Sequence, residues 1–494
     1  MLKYKTFKGG YRFRNFLGQP REQLKELPIP QRVIIPLKQG FGGEVKPLVS
    51  PGDKVYAGQI IGRDDENVSS PVHSSVNGEV LKIEKINYFK QEITAIFIEA
   101  EPTAEWRPLE GYSADWGKLS PEKIEELIYL SGSASLDKEG IPTRFRSSII
   151  SPSEVENLII HGIGSEIYNL SLRLLLSGKN LFHFIEGIRI LKKIFPQAEV
   201  HLALNKNFKK LVEEISKITS GFDWLKIYAL EPKYPQGYDE MLVPTLLGRP
   251  FPYGYSAANI GIVILNTQAV LHVYEAVCEG KPLIERTIAL CGEGFRENLH
   301  LKVKIGTPLK EIFSPYLRKD KEMRLVLNSL LTGIRLNIFS LPLSRTFSQV
   351  IALPENRERE FLSFLRLGMR SESYTRTFLS ALLRGKKKLN TNIHGEPRPC
   401  ISCGYCQEVC PVRIIPHLLY RFIERNIIDE RLSKYGIFNC LECNLCSFVC
   451  PSKLPLAKTI KDGQERLITI GCDRAKCILP YFDLKGLEEY RGIK

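Results

Sequence analysis

Eight of the twelve cysteines in this chain fall between positions 400 and 450, in two runs of one spacing. The first reads Cys400-Ile-Ser-Cys403-Gly-Tyr-Cys406-Gln-Glu-Val-Cys410-Pro411, the second Cys440-Leu-Glu-Cys443-Asn-Leu-Cys446-Ser-Phe-Val-Cys450-Pro451. Two-residue gaps let three thiolates of one loop reach three irons of a cube, and the fourth cysteine, just before a proline, points at the other cluster. The spacing therefore predicts two [4Fe–4S] clusters with crossed ligation. One takes Cys400, Cys403, Cys406 and Cys450, the other Cys440, Cys443, Cys446 and Cys410. Tetrahedral zinc also uses C-x2-C pairs, but usually as two separated pairs per metal, whereas each run here has four cysteines and a trailing proline.

Between the runs, Ile414, Ile415, Leu418, Leu419, Phe422 and Ile423 recur at helical spacing, and Pro416 suits a first turn. A short helix is expected over 429–432, which makes the cluster module mostly helical. Cys472 and Cys477 read as ordinary thiols, and Cys278 and Cys291 as core residues. Twelve cysteines in 494 residues is far below the density of a small disulfide scaffold. The length predicts about three domains. The most apolar stretch, 260–277, is broken by Asn266, Gln268, His272 and Glu275, so no membrane span is expected. No apolar segment follows the first lysines as a secretory signal would, and the expected location is cytoplasmic. Lys+Arg exceed Asp+Glu by 69 to 55, a balance suited to an acidic protein, anionic lipid or nucleic acid. No basic stripe interleaved with aromatics is present, which argues against nucleic acid.

Residues 30–84 alternate short β-type runs with the turn pairs Pro51-Gly52 and Asn77-Gly78, a pattern that resembles lipoyl-type barrel-sandwich domains. Asp64-Asp65-Glu66-Asn67 offers no lysine for a carrier role. From residue 156, strands near 157–160, 200–204 and 225–230 alternate with helices through Phe184, Ile188 and Leu191 and over 208–218, predicting a parallel, Rossmann-like sheet. A flavin or dinucleotide phosphate wants a glycine-rich turn. The loop 131–143 keeps only Gly132 and Gly140, and it puts Asp137 and Glu139 where phosphate would be repelled. Residues 282–312 suggest a small grasp-like unit, and 385–399, with Lys386, Lys387 and Lys388, a linker.

These residues resemble the RnfC family, the C component of the Rnf ion-translocating electron-transport complex. Lys8-Gly9-Gly10, 71–78, Gly248-Arg249, 282–286 and 305–308 carry the likeness beside the cysteine runs, so it spans nearly the whole chain. The flavin loop of that family survives only as Ile141-Pro142-Thr143, a later glycine- and methionine-rich element is reduced to 328–333, and Glu166 and Tyr168 remain of a segment near its flavin. Residues 361–383 resemble NqrA, a component of the related sodium-pumping NADH:quinone reductase.

The resemblance implies an α/β multidomain chain: a barrel-sandwich hybrid over 1–115, a Rossmann-like parallel sheet over 116–260 and a β-grasp-like (SLBB) unit over 261–325. A helical connecting segment over 326–384, a linker over 385–399, an all-α dicluster ferredoxin domain over 400–465 and a tail over 466–494 complete it. It implies a peripheral subunit on the cytoplasmic face of the membrane, relaying electrons between ferredoxin or NADH and the integral-membrane subunits of an Rnf- or Nqr-type complex through two [4Fe–4S] clusters, with no catalytic residue assigned. Two other readings are a flavin-dependent NADH dehydrogenase subunit that binds FMN and NADH in a diverged loop, and a docking or assembly subunit with structural clusters.

Overall fold

In the computed structural model, the described residues are 2–355 apart from 15, 90, 137, 146 and 165, together with 389 and 398–472. Strands covered by helices on both faces must be apolar on both faces. Strands Asn157–Gly162 and Ile262–Asn266 begin with four consecutive buried residues, and Glu199–Asn205 has five. With Leu225–Leu230 they form a parallel sheet in which the first strand lies between the second and the fourth, Ile160 pairing with both Leu202 and Leu265. Helices Asn180–Ile194 and Thr267–Cys278 cover it, placing Phe184, Ile188, Val270 and Val273 in one core. Gly187 permits their close approach, since a Cβ there would lie 2.6 Å from the Val270 carbonyl oxygen. The stretch 260–277 is thus a core strand and a core helix, capped by the Asn266 side chain, which accepts a hydrogen bond from the Ala269 amide at 3.0 Å.

The barrel-sandwich packs strands Arg32–Pro36, Gly78–Tyr88 and Gln91–Ala100 against Ile60–Arg63 and Val72–His73 around Val33, Ile35, Ile61, Ile96 and Ile98. Its Pro51-Gly52 turn is closed by the Asp53 carboxylate, which accepts from the Ser50 amide at 2.7 Å. A third, mixed sheet runs Ile334–Arg335, Met323–Leu327, Gln349–Pro354, Glu285–Cys291, His300–Lys304, Leu24–Glu26. Cys278 and Cys291 are buried, as expected of core residues.

The units divide differently from the expected ranges. Residues 262–278 complete the parallel sheet and do not open the grasp-like unit, because the fourth strand needs its own crossover helix. Residues 326–355 are not helical: Gln349–Pro354 pairs antiparallel with Met323–Leu327 and is buried on both faces, Val350 and Ala352 in one core and Ile351 and Leu353 in another. Two strands within 1–30 pair outside the barrel, although Ile29 packs on its core. Lys3–Lys5 extends the parallel sheet and Leu24–Glu26 the mixed one. The helix of the cluster domain runs to Thr469, four residues into the expected tail. The resemblance over 361–383, the Lys386–Lys388 run and Cys477 lie outside the described residues.

The three units meet at Arg345, which is 1% exposed. Its guanidinium donates to the Ser135 hydroxyl at 3.1 Å and to the Pro71 carbonyl at 2.5 Å, and its amide donates to the Gln39 side chain at 3.3 Å.

Candidate metal centre

Both cysteine runs fold alike. In the first, Ser402 and Gly404 flank Cys403 with positive φ, and Arg413 follows Cys410 the same way; in the second, Glu442 and Asn444 flank Cys443, and Lys453 follows Cys450. Left-handed residues on either side of the middle cysteine curl each loop around a common centre, where Gly and Asn are the residues that tolerate this best. Short helices Tyr405–Val409 and Leu445–Phe448 then present the third cysteine of each run.

The eight thiols fall into two neighbourhoods. Cys403 and Cys450 bear electrostatically on Cys406, and Cys403 and Cys400 on Cys450. Cys440 and Cys410 bear on Cys443, and Cys443, Cys440 and Cys410 on Cys446. The neighbourhoods touch where Cys406 and Cys446 share an apolar pocket with Leu454 and Leu456. Cys410, Cys440, Cys443 and Cys446 line one cavity of about 340 Å³, with Ile414, Leu445 and Ile460 among its other walls. This is a thiol-rich, apolar donor set around one cavity, and it fits a cubane cluster. Among the described residues no three His, Cys, Asp or Glu side chains converge tightly enough to share one ion. Thiolates bound to separate irons of a cube stand farther apart than ligands of a single metal.

Burial pushes the Cys406 and Cys440 thiols up to about 11 and Cys443 up to about 12, while the Glu442 and Leu445 amides aimed at Cys440 and Cys443 act in the opposite direction. Iron must therefore displace protons as it binds, and the same amides would stabilise charge on the sulfurs of a bound cluster.

The two neighbourhoods differ in exposure. Cys403 is exposed to solvent. Cys443 is 8% exposed and packs with Val409, Leu445 and Val449 against Tyr11, Phe16, Tyr168 and Tyr234. The Tyr234 hydroxyl donates to the Cys443 carbonyl at 2.9 Å, the Asn444 side chain donates to the Leu331 carbonyl at 2.9 Å, and the Gly10 amide donates to the Val409 carbonyl at 2.8 Å. Cys443 is thus covered by Gly10, Tyr11, Phe13, Phe16 and Tyr234, whereas Cys440 is half-buried and borders an open cavity. The cysteine spacing carries no sign of this, and of those covering residues only Gly10, as part of Lys8-Gly9-Gly10, stands out in the sequence.

The loop 131–143 is packed tightly against neighbouring segments. A Cβ on Gly132 would meet the Arg345 guanidinium at 2.6 Å and one on Gly140 the Ser147 carbonyl at 2.1 Å, so both glycines serve packing. Glu139 accepts from the Ala257 and Ala258 amides, at 2.9 and 2.5 Å, and burial raises its carboxyl to about 7. The adjoining cavity, about 2330 Å³, has Glu139, Asp239, Glu240 and Glu442 in its walls against the single cation Lys138, itself paired with Asp239 at 3.3 Å. These residues do not fit the phosphate of FMN. Glu166 is held by Ser329 at 2.6 Å and Tyr168 by the Leu17 carbonyl at 2.8 Å, so neither points into that cavity as a free ligand group.

The chain matches the RnfC barrel sandwich hybrid domain over residues 5–103, the Nuo51 FMN-binding domain over 136–275 and a 4Fe-4S dicluster domain over 399–455. It is 27% identical over 463 residues to the C component of the ion-translocating oxidoreductase complex of Buchnera aphidicola, covering 92% of this chain and 89% of that protein. It is 25% identical over 417 residues to the C component of the proton-translocating ferredoxin:NAD(+) oxidoreductase complex of Clostridium ljungdahlii, covering 83% of each. It is 23% identical over 440 residues to the C component of the Na(+)-translocating ferredoxin:NAD(+) oxidoreductase complex of Acetobacterium woodii, covering 87% of this chain and 90% of that protein. A chain of an NAD+-reducing [NiFe]-hydrogenase superposes with a TM-score of 0.38 at 14% identity over 49% of both chains, too loosely to carry functional weight. Fold and site define an iron–sulfur protein in which a dicluster domain is docked on a barrel-sandwich and a parallel sheet. Its N-terminal domain model and its relatives over most of the chain are those of the RnfC family.

Proposed function

We propose that the chain is the iron–sulfur subunit of a multi-component, ion-translocating oxidoreductase and relays single electrons through two [4Fe–4S] clusters. Cys400, Cys403, Cys406 and Cys450 hold the outer cluster, and Cys410, Cys440, Cys443 and Cys446 the inner one. The observation that carries the reading is the difference in exposure between two touching thiol sets, one reaching solvent at Cys403 and the other walled at Cys443 by aromatic rings. A relay needs this arrangement, with one end open to a partner and the other shielded from stray oxidants. Structural clusters need no such gradient. Bound clusters supply one-electron storage; the protein positions their sulfurs, directs amides at them and covers Cys443 with aromatic rings.

Among the described residues no helix is long and apolar enough to cross a membrane. The complex is read from the names of the relatives, as are ferredoxin or NADH as electron partners. We place the chain on the cytoplasmic face against membrane subunits, and read the mixed sheet with helix Leu309–Phe313 as the grasp-like SLBB unit. The match to an FMN-binding domain favours the flavin-dependent reading, but the tightly packed loop and acidic cavity weigh against it.

The test is an anaerobic visible-absorbance titration of the cluster-replete chain. Bleaching by reduced ferredoxin but not by NADH is the expected result, and bleaching by NADH alone would establish a flavin and nicotinamide site. Cys410→Ala should remove about half the iron and the inner cluster's signal, although Cys410 sits in the first run. Loss of the outer signal instead would refute the crossed ligation.

A further inference from the structure

A cleft of about 2970 Å³, counted to its open mouth, crosses the carboxyl ends of three parallel strands. Its walls are the loops that follow Asn157–Gly162, Glu199–Asn205 and Leu225–Leu230, with residues 12–22 closing one side. Ligands of open α/β sheets bind at this end.

The cleft carries a surplus of positive charge. Arg14, Arg21 and Arg296 are exposed on its rim and make no ion pair among the described residues. Lys209 and Lys210 do likewise in a hollow joined to it through Asn207 and Phe208. Of the acids in the cleft, Glu231 is engaged with Arg12 and Lys206, Glu22 with Arg173 at 3.7 Å, and Glu166 with Ser329, and with Glu293 and, in the hollow, Glu214 counted as well, arginines and lysines still outnumber acids. The floor leads to the inner thiols. Tyr234 lines the cleft and donates to the Cys443 carbonyl, and the Phe13 ring stands 5.2 Å from that of Phe448, two positions after Cys446.

Resting on the relay reading, we infer that this cleft is the docking surface for an acidic one-electron carrier protein. A nucleotide fits less well, because the Asn169 side chain fills the turn after the first strand. A Cβ on Gly164 would meet the Asn169 side chain at 2.5 Å, and Asn169 accepts the Glu166 amide at 3.0 Å, so no bare cradle remains for phosphate. A hydride donor also needs a flavin to split its electron pair, and a one-electron carrier does not. Exposed arginines over an open cleft steer an acidic surface and orient it, and the attraction weakens with salt.

The test uses the cluster-loaded full chain and an acidic 2[4Fe–4S] ferredoxin as probe, with binding followed by surface plasmon resonance at low and at physiological salt. The double variant R14E/R296E should raise Kd by about tenfold or more and flatten the salt dependence, while iron content and visible spectrum stay unchanged. K458E, an exposed charge on the cluster-domain helix, should leave Kd as it was. If K458E weakens binding and R14E/R296E does not, docking is at the outer cluster: the inference fails and the relay reading stands. Wild-type chain that binds no ferredoxin at low salt, yet is reduced by NADH, would sink both the inference and the ferredoxin half of the reading. Competition by ADP that is lost in R14E/R296E would make the cleft a nucleotide site and overturn the inference.

Discussion

Gly9 holds φ at +74°, and a Cβ there would lie 2.5 Å from the Cys410 carbonyl oxygen. Both the glycine and its neighbour are backbone at this contact, so neither can swing aside. Gly9→Ala should cost about 1–2 kcal/mol for the left-handed conformation alone, with the clash added, and the damage should fall on the seam between the N-terminal segment and the inner thiols. Chelator-driven iron loss is the measurement; an unchanged rate would show that the seam does not guard the cluster. Glu139 raises a different residue-scale question. Its carboxyl titrates near 7 in the fold because of burial, above the ordinary value of 4.5. The protonated form is therefore the one the fold prefers. Its contribution is fully present below about pH 4.5 and is lost as pH rises through about 7. Glu139→Gln should remove that loss, gaining about 1–3 kcal/mol over the parent at about pH 8 relative to about pH 5. Parallel pH–Tm curves for the two proteins would refute it.

At the scale of elements, the alternation of strand and helix over 157–218 is legible because both periods are strong, with Phe184, Ile188 and Leu191 at helical spacing and buried residues running unbroken along each strand. The Lys3–Lys5 and Leu24–Glu26 strands are not legible. Each has three residues, mostly charged and exposed, and each is strand only because a distant edge offers it hydrogen bonds. Residues 326–355 mislead for the same reason, since their pairing with 323–327 and 285–291 is not local. Spacing alone marks the eight cysteines, but their unequal burial is set by Phe13, Phe16 and Tyr234, hundreds of positions away. The helix Pro416–Glu424, expected from its apolar spacing, packs Leu419 and Ile423 on Leu456–Thr469, where Gly463 lets Ile423 approach. Leu419 is fully buried, so Leu419→Ala should cost about 2–5 kcal/mol. Because the helix joins the two cysteine runs, both cluster signals should become heat-labile together; loss of one alone would mean the runs are braced separately.

At the scale of the whole molecule, the question is which units stand without iron. The parallel sheet, the mixed sheet and the barrel-sandwich each have an apolar core of their own, built around residues such as Leu202, Leu301 and Ile96. The cluster domain has a smaller one, built partly from its cysteines. Its inner packing places Cys406 and Cys446 among Leu454 and Leu456, and Cys410 among Ile414, Leu419 and Ile460, so the ligands themselves are part of the core. Remove the iron and each buried thiol loses its partner, leaving short helices that are marginal in isolation. The seam with Tyr11 and Tyr234 depends on the same loops, because Cys443 supplies the carbonyl that Tyr234 grips. Iron removal should therefore unfold residues 400–469 as one unit, while the sheets persist and Arg345 continues to tie the barrel to its neighbours. Hydrogen exchange on the stripped chain reads this directly: amides of 416–424 and 456–469 should lose protection by orders of magnitude, and those of 157–162 and 285–291 should keep theirs. Equal loss of protection in the sheets would mean that the clusters hold the whole chain together, and that the chain folds around its relay.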